Sequence, residues 1–353
     1  MDLFGTAGIR GGVENRVTPG LALAVGRAVS AEIRSRADES TAEATPGSIP
    51  EPTVVLARDG RVTGPALAAA MEAGLAAGGV AVRRAGQLPT PALAHASRGR
   101  YGVMLTASHN PPTDNGIKLF RDGTEFDRDA ERAVEERVAD EEPVARWDEW
   151  TEATRVDPLD DYLADVREYA AGFGAPLDGL RVAVDCGNGM SAPATPAVLR
   201  DLGADVVTLN GNVDGHFPGR GSKPTPETLA DLRAFVADAN EGVENPGRPT
   251  AGKDGADDAE GFAFGIGHDG DADRIVIVDA DGEVVHEDTV LAVLAERYTR
   301  ASDAADPVVV TTPNASGRID ERVRAAGGRV ERVRLGALHE GIAAVRENAG
   351  AAG

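Results

Sequence analysis

The stretch "TVVLARDGR", Thr53 to Arg61, is a continuous apolar run that closes in a charged, glycine-containing loop. A segment rich in Ala and Leu follows, then Gly79 and a second apolar run, "GVAVRRAG". This succession predicts a βαβ unit, since strands of a parallel sheet are buried on both faces and read as unbroken apolar runs. The pattern returns at "RVAVDCGNGM" from Arg181 with "GADVVTLNG" from Gly203, and at "PVVVTTPNASG" from Pro307 with "GGRVERVRLG" from Gly327. The starting valines Val54, Val182 and Val308 lie 128 and 126 residues apart, a period of domain size rather than of a solenoid.

The sequence therefore predicts an α/β fold of repeated three-layer α/β domains with mixed, mostly parallel sheets. The divisions are 1–150, 151–288 and 289–353, the last breaking off before its third strand. Two segments, Ser35–Pro52 and Ala237–Gly261, have few large apolar residues and read as solvated surface insertions. Between them "TPETLADLRAFV" predicts a helix, with Thr225 as N-cap and Pro226 at the first helical position.

Composition narrows the function. Asp and Glu number 58 against 36 Lys and Arg, a formal net charge of -22, which repels nucleic acid. Only Lys118, Lys223 and Lys253 are lysines, and an acidic, Lys-poor surface resembles that of proteins adapted to high salt. The single cysteine, Cys186, permits no intrachain disulfide. No apolar run is long enough to cross a bilayer and no leader pattern opens the chain, so a cytoplasmic protein with no membrane partner is expected.

Chemistry is expected at the carboxyl ends of the strands. In the first repeat the third strand, "YGVMLTAS", is predicted to end at Ser108, where the Pro111-Pro112 corner forbids its continuation. In the second it is "GFAFGIGHDGDADR". Asp269, Asp271 and Asp273 alternate with small residues, so three carboxylates can turn toward one point, and an all-oxygen set of that kind suits Mg²⁺. Arg274, at the start of the next strand, can offer a planar fork to a phosphate or simply neutralise the aspartates. Ser108 either caps a turn or carries phosphate beside the metal. His109 is adjacent to it, but successive strand residues face opposite ways, so a Ser108-His109 pair is not expected unless the corner twists the backbone. Lys118 in "DNGIKLF" falls on a strand returning toward Ser108, and "FGTAGIRGG" places Arg10 among four glycines that let an anion approach.

Taken together, "FGTAGIRG", "TASHNPPTDNGIKLF" and "DGDADR" resemble the α-D-phosphohexomutases, the phosphoglucomutase, phosphomannomutase and phosphoglucosamine mutase superfamily; "NVDGHFPGRG" from Asn212 adds to the match. The resemblance implies an isomerase of the phosphotransferase type. It interconverts hexose 1- and 6-phosphates of glucose, mannose or glucosamine through a phosphoserine at Ser108 and a bisphosphorylated hexose. It implies Mg²⁺ held by Ser108, Asp269, Asp271 and Asp273, with His109, Lys118 and Arg10 in catalysis and Arg274 on the substrate. The family's sugar loop and fourth, phosphate-binding domain have no match here, so a shortened chain with impaired turnover is expected; His339 in "RLGALHEG" is a candidate sugar contact. A metal-dependent sugar phosphatase and a non-catalytic binding relative remain as alternatives. The preferred sugar and the oligomeric state are left open.

Overall fold

The computed structural model describes residues 3–5, 8–40, 51–174, 176–244, 246–247, 261–335, 338, 341–342 and 344–346. His339 and most of both surface insertions lie outside the described residues. The chain forms two compact units, Met1–Gly282 and Glu283–Gly353.

In the larger unit the first sheet comprises β1 (Ile9–Gly12), β2 (Glu51–Arg58), β3 (Ala81–Gln87), β4 (Arg100–Leu105), β5 (Asp114–Arg121), β6 (Thr124–Glu125) and β7 (Ala153–Arg155). Their order is β1-β5-β4-β2-β3-β7, with β6 beside β5. The strands β4, β2, β3 and β7 run parallel, while β5 turns back antiparallel to β4 and β1. Helices α1 (Pro19–Ser40), α2 (Gly64–Ala77), α3 (Thr90–Ala96) and α4 (Arg128–Ala139) flank it. Alternation along β2 explains the layering. Val54 and Leu56 face the core that Val25, Leu67 and Met71 complete, whereas Val55 and Ala57 face the one holding Leu88, Leu93 and Met104. Burying each such side chain is worth about 1.5–3 kcal/mol, so a one-residue slip of register that exchanged the two sets is excluded.

After α5 (Leu159–Ala171) the pattern repeats: β8 (Arg181–Asp185), α6 (Thr195–Asp201), β9 (Asp205–Leu209), α7 (Ala230–Asn240), β10 (Phe264–His268) and β11 (Ile275–Val278). The order within this unit is β11-β10-β8-β9, parallel except for β11. The alternating glycines of "GFAFGIG" have a packing cause. A Cβ on Gly265 would lie 3.2 Å from the Leu232 side chain and one on Gly267 only 2.6 Å from Leu229, so the glycines let α7 and its approach settle on the strand.

The smaller unit holds β12 (Val284–Val285), α8 (Glu287–Ala301), β13 (Val308–Thr311), α9 (Gly317–Ala325) and β14 (Arg329–Arg332). Here β13 and β14 pair in parallel, and Ala292, Ile319 and Val323 form a small core. All three βαβ units are thus present, each with its glycine before the second strand.

Four expectations need correction. The strand β4 ends at Leu105, not Ser108: Thr106 already hydrogen-bonds through its side chain to Asp59, and the chain leaves the sheet before the prolines. The helix α1 runs on to Ser40 and β2 begins at Glu51, so the first insertion is shorter than its polarity suggested. Likewise α7 reaches Asn240. Thr225 is not the N-cap of α7, which starts at Ala230 with Leu229 in the cap position; its Oγ1 instead accepts from the Thr228 amide at 3.2 Å and closes the turn, containing Pro226, that leads into the helix.

Candidate active site

Leaving β4, the backbone passes Thr106, whose hydroxyl donates to Asp59 Oδ2 at 2.8 Å and accepts from the Ser108 amide at 2.8 Å. Ser108 then takes a left-handed conformation, φ 53°, rare for a residue with a side chain. This turn corrects the strand argument about His109. Because Ser108 is no longer extended, its Oγ lies 3.2 Å from His109 Nδ1.

The second loop comes from the end of β10. Asp269, Asp271 and Asp273 each offer a carboxylate oxygen within 4.8 Å of the others. Ser108 Oγ donates to Asp269 Oδ2 at 2.6 Å, joining the two loops directly. Close approach is possible because residue 270 is glycine: a Cβ there would lie 2.7 Å from the Ser108 carbonyl oxygen. From the first repeat Thr90 also grips this loop, its hydroxyl donating to Asp271 Oδ2 at 2.7 Å and its amide to the Asp271 carbonyl at 2.9 Å. The other Asp271 oxygen, Oδ1, is buried with no hydrogen-bond partner. A buried carboxylate oxygen without a donor calls for a cation, and the donor set is hard oxygen throughout.

Lys118 stands on β5 opposite Met104 of β4. It is only 3% exposed, and its ammonium lies 2.7 Å from Asp273 Oδ2 and 3.6 Å from Asp271 Oδ2. Burial alone would lower its pKa; the carboxylates of Asp271 and Asp273 outweigh that and raise it. Burial likewise works to raise Asp273, yet the Lys118 charge and hydrogen bond hold it below the usual carboxylate range. Asp269 lacks that partner. Burial, followed by the negative charges of Asp271 and Asp273, pushes it up to about 8.

Arg274 donates its amide to Asp269 Oδ1 at 3.2 Å and its guanidinium to His109 Nδ1 at 2.9 Å. A guanidinium can only donate, so Nδ1 accepts and neutral His109 carries its proton on Nε2. Burial, then the charges of Arg274, Arg10 and Lys223, lower the His109 pKa and keep the ring neutral. The single hydroxyl proton of Ser108 is therefore directed to Asp269, and His109 Nδ1 is not its base. Arg10 is carried by β1, paired with Gly116 of β5, and its charge reaches His109.

Eight of the nine site candidates singled out from sequence converge on this place; the ninth, His339, lies outside the described residues. Sequence reasoning passed over the residues that support them: Asp59, Arg61, Thr90, Thr106, Phe217 and Arg220. The signal was present in the opening stretch, where "ARDGR" puts a charged pair at a strand's carboxyl end, and again where Asp185 closes β8.

Comparison with known proteins follows the same division. Residues 1–145 match the family described as phosphoglucomutase/phosphomannomutase, alpha/beta/alpha domain I, and residues 160–282 match its domain II. A phosphopentomutase of Thermococcus kodakarensis is 39% identical over 346 residues, 97% of this chain and 67% of that protein. A probable phosphoglucosamine mutase of Methanopyrus kandleri is 39% identical over 348 residues, covering 98% and 68%. Among solved structures, a phosphoglucomutase/phosphomannomutase family protein of Burkholderia thailandensis superposes with a TM-score of 0.77 at 26% identity, over 94% of this chain and 66% of that one. The chain thus spans about two thirds of the length of the relatives it matches.

Proposed function

The chain belongs to the α-D-phosphohexomutase superfamily, and from that premise we propose that it moves a phosphoryl group between a sugar bisphosphate and Ser108, the half-reaction of a phosphohexose mutase. The observation that carries the reading is the 2.6 Å contact between Ser108 Oγ and the three-aspartate cluster. In the forward direction the phosphorus–oxygen bond to the sugar breaks, a bond to Ser108 Oγ forms, and the serine proton passes by way of Asp269, in its ionised form, toward the sugar oxygen that leaves. The serine oxygen is poised and its proton already has an acceptor. Arg10, Lys223 and Arg274 gather positive charge beside His109, where an incoming phosphate needs it. With its proton on Nε2, His109 can donate to a sugar oxygen, and Lys118 keeps Asp273 ionised.

Asp269, Asp271 and Asp273, with a Ser108 oxygen, are the groups that would hold Mg²⁺, which when bound neutralises charge on the transferring phosphoryl oxygens. Its binding has a pH signature. A proton held by Asp269 below about pH 8 competes with the metal, so apparent affinity rises with pH and levels off above that value. The slope approaches about tenfold per pH unit where one proton is displaced. Mg²⁺ titrations followed by melting temperature at pH 6.5 to 9, at constant ionic strength, check this. A pH-independent affinity, or an equal response in Asp271→Asn, counts against the site.

We favour a hexose substrate, with glucosamine phosphate first, because several relatives carry the name phosphoglucosamine mutase; the phosphopentomutase among them makes pentose phosphate the comparison. The deciding experiment incubates the protein with radiolabelled glucose, mannose or glucosamine 1,6-bisphosphate and Mg²⁺, at low and molar salt. Label on the protein that chases into added sugar monophosphate supports the mutase half-reaction. Label released only as inorganic phosphate identifies a phosphatase, and no label at all a binding protein.

A further inference from the structure

Arg61 is the largest fully buried side chain of the described residues, at 0% exposure, and it lies directly beneath the Ser108 loop. A guanidinium has five N–H groups, and here all five are used. Nε donates to Asp59 Oδ2 at 3.0 Å. Nη1 donates to the carbonyls of Pro111 at 2.6 Å and Asp114 at 2.8 Å, and Nη2 to those of Ser108 at 2.9 Å and Asn110 at 2.8 Å. Nothing is left over to bind a phosphate. An arginine beside a phosphoryl site invites a substrate role, and this hydrogen-bond count excludes one.

We propose that Arg61 is the positioning residue of the Ser108 loop, fixing the left-handed turn that aims the hydroxyl at the aspartate cluster; its link to phosphoryl transfer rests on the reading above. Four carbonyls drawn to one planar fork dictate the path of residues 108–114, where the two prolines could otherwise settle in several ways. The fork is itself fixed. Asp59 Oδ1 accepts the Arg61 amide at 3.0 Å, and Asp59 Oδ2 also receives Thr106, which holds the Ser108 amide. The loop is thus gripped from its amide side through Thr106 and from its carbonyl side through Arg61.

The second repeat supplies the lid of this arrangement. The Phe217 ring lies 5.2 Å from the Arg61 guanidinium carbon, and the same ring is the neighbour a Cβ on Gly270 would meet at 3.3 Å. Gly215 presses on Gly60 and Arg61, and Ser222 Oγ donates to the Asn110 carbonyl at 3.0 Å. The second repeat also contains the same device. Asp185, closing β8 as Asp59 follows β2, pairs with buried Arg220 at 2.8 Å, and Arg220 Nη2 donates at 2.7 Å to the carbonyl of His268, where the metal loop begins. Each repeat therefore uses an aspartate at the end of its first strand to hold an arginine that anchors the loop after its third strand.

Two variants of the full chain test this: Arg61→Lys, which keeps the charge but has three donors and no fork, and Thr106→Val, which cuts the amide-side grip without touching the guanidinium. In each, amide exchange across residues 106–116 should rise about tenfold or more while the 268–274 loop keeps its protection. Phosphate transfer from glucose 1,6-bisphosphate should fall by about 100-fold in Arg61→Lys, the usual consequence of an ångström of misplacement, with the Mg²⁺-dependent melting shift retained. Wild-type exchange and transfer in both variants would overturn the proposal. So would a parallel loss of the Mg²⁺ response, since Arg61 would then support the whole unit rather than this loop. Should Arg61→Lys fail to fold, Thr106→Val decides alone. A wild-type protein that takes up no phosphate defeats the phosphoserine reading, while the exchange experiment still decides the role of Arg61.

Discussion

Ser108→Ala should take up no phosphate from a hexose bisphosphate, while remaining folded and still responding to Mg²⁺. The substitution removes one oxygen. With it go the group that would carry the phosphoryl and the donor to Asp269, whereas Asp269 keeps the Arg274 amide. Losing one such hydrogen bond costs about 1–3 kcal/mol, small enough for a unit of this size to tolerate. The left-handed turn is no harder for alanine than for serine, and Ser108→Gly, which adopts φ 53° freely, separates conformational strain from chemistry: it too should be inert, but no less stable. Intact mass and label incorporation measure the first claim and melting curves the second. Incorporation that persists in Ser108→Ala places the phosphate elsewhere and ends the present reading, whatever the aspartates bind.

The elements of this fold were legible because parallel strands buried on both faces leave an unmistakable apolar run, and because the run occurs three times with a glycine at the same point. The site residues were legible for a different reason: "DGDADR" and the Ser-His-Asn-Pro-Pro corner are chemically expensive, and a chain keeps three adjacent carboxylates only where something compensates them. What did not show was the support. Arg61 and Arg220 look like surface residues among 36 basic ones; the aspartates at the strand ends were the only hint, and the carbonyls that bury the two arginines lie some 50 residues away in sequence. The pairing of Ser108 with His109 was hidden for the same reason. It depends on one left-handed residue, and that conformation is imposed by tertiary hydrogen bonds rather than by local propensity.

This logic makes Arg220 the more informative place to injure the fold. Its side chain is 5% exposed and that of Asp185 1%, so Arg220→Met leaves a carboxylate in the interior without its main counter-charge, and the His268 and Gly221 carbonyls without donors. Breaking a buried pair from one side costs about 3–5 kcal/mol, which for a unit of this length lowers the melting temperature by on the order of 10 °C. Adding Asp185→Asn to the variant should recover a good part of that loss. The amide is neutral, and its oxygen can still accept from the Gly187 amide and the Asn210 side chain, at 2.8 and 3.0 Å in the present structure. Salt provides the discriminating measurement. Exposed pairs such as Arg132 with Asp129 are screened away in molar KCl, but a buried charge is not, so the destabilisation should persist there. Because the His268 carbonyl anchors the start of the aspartate loop, the proposed Mg²⁺ site predicts that the single variant also loses Mg²⁺-dependent stabilisation, and the double variant too, since the methionine has no donor for that carbonyl. A single variant that melts within about 2 °C of wild type would show that the pair is not the keystone its burial implies, and equal melting of single and double variants would assign the cost to the unpaired carbonyls rather than to the stranded charge.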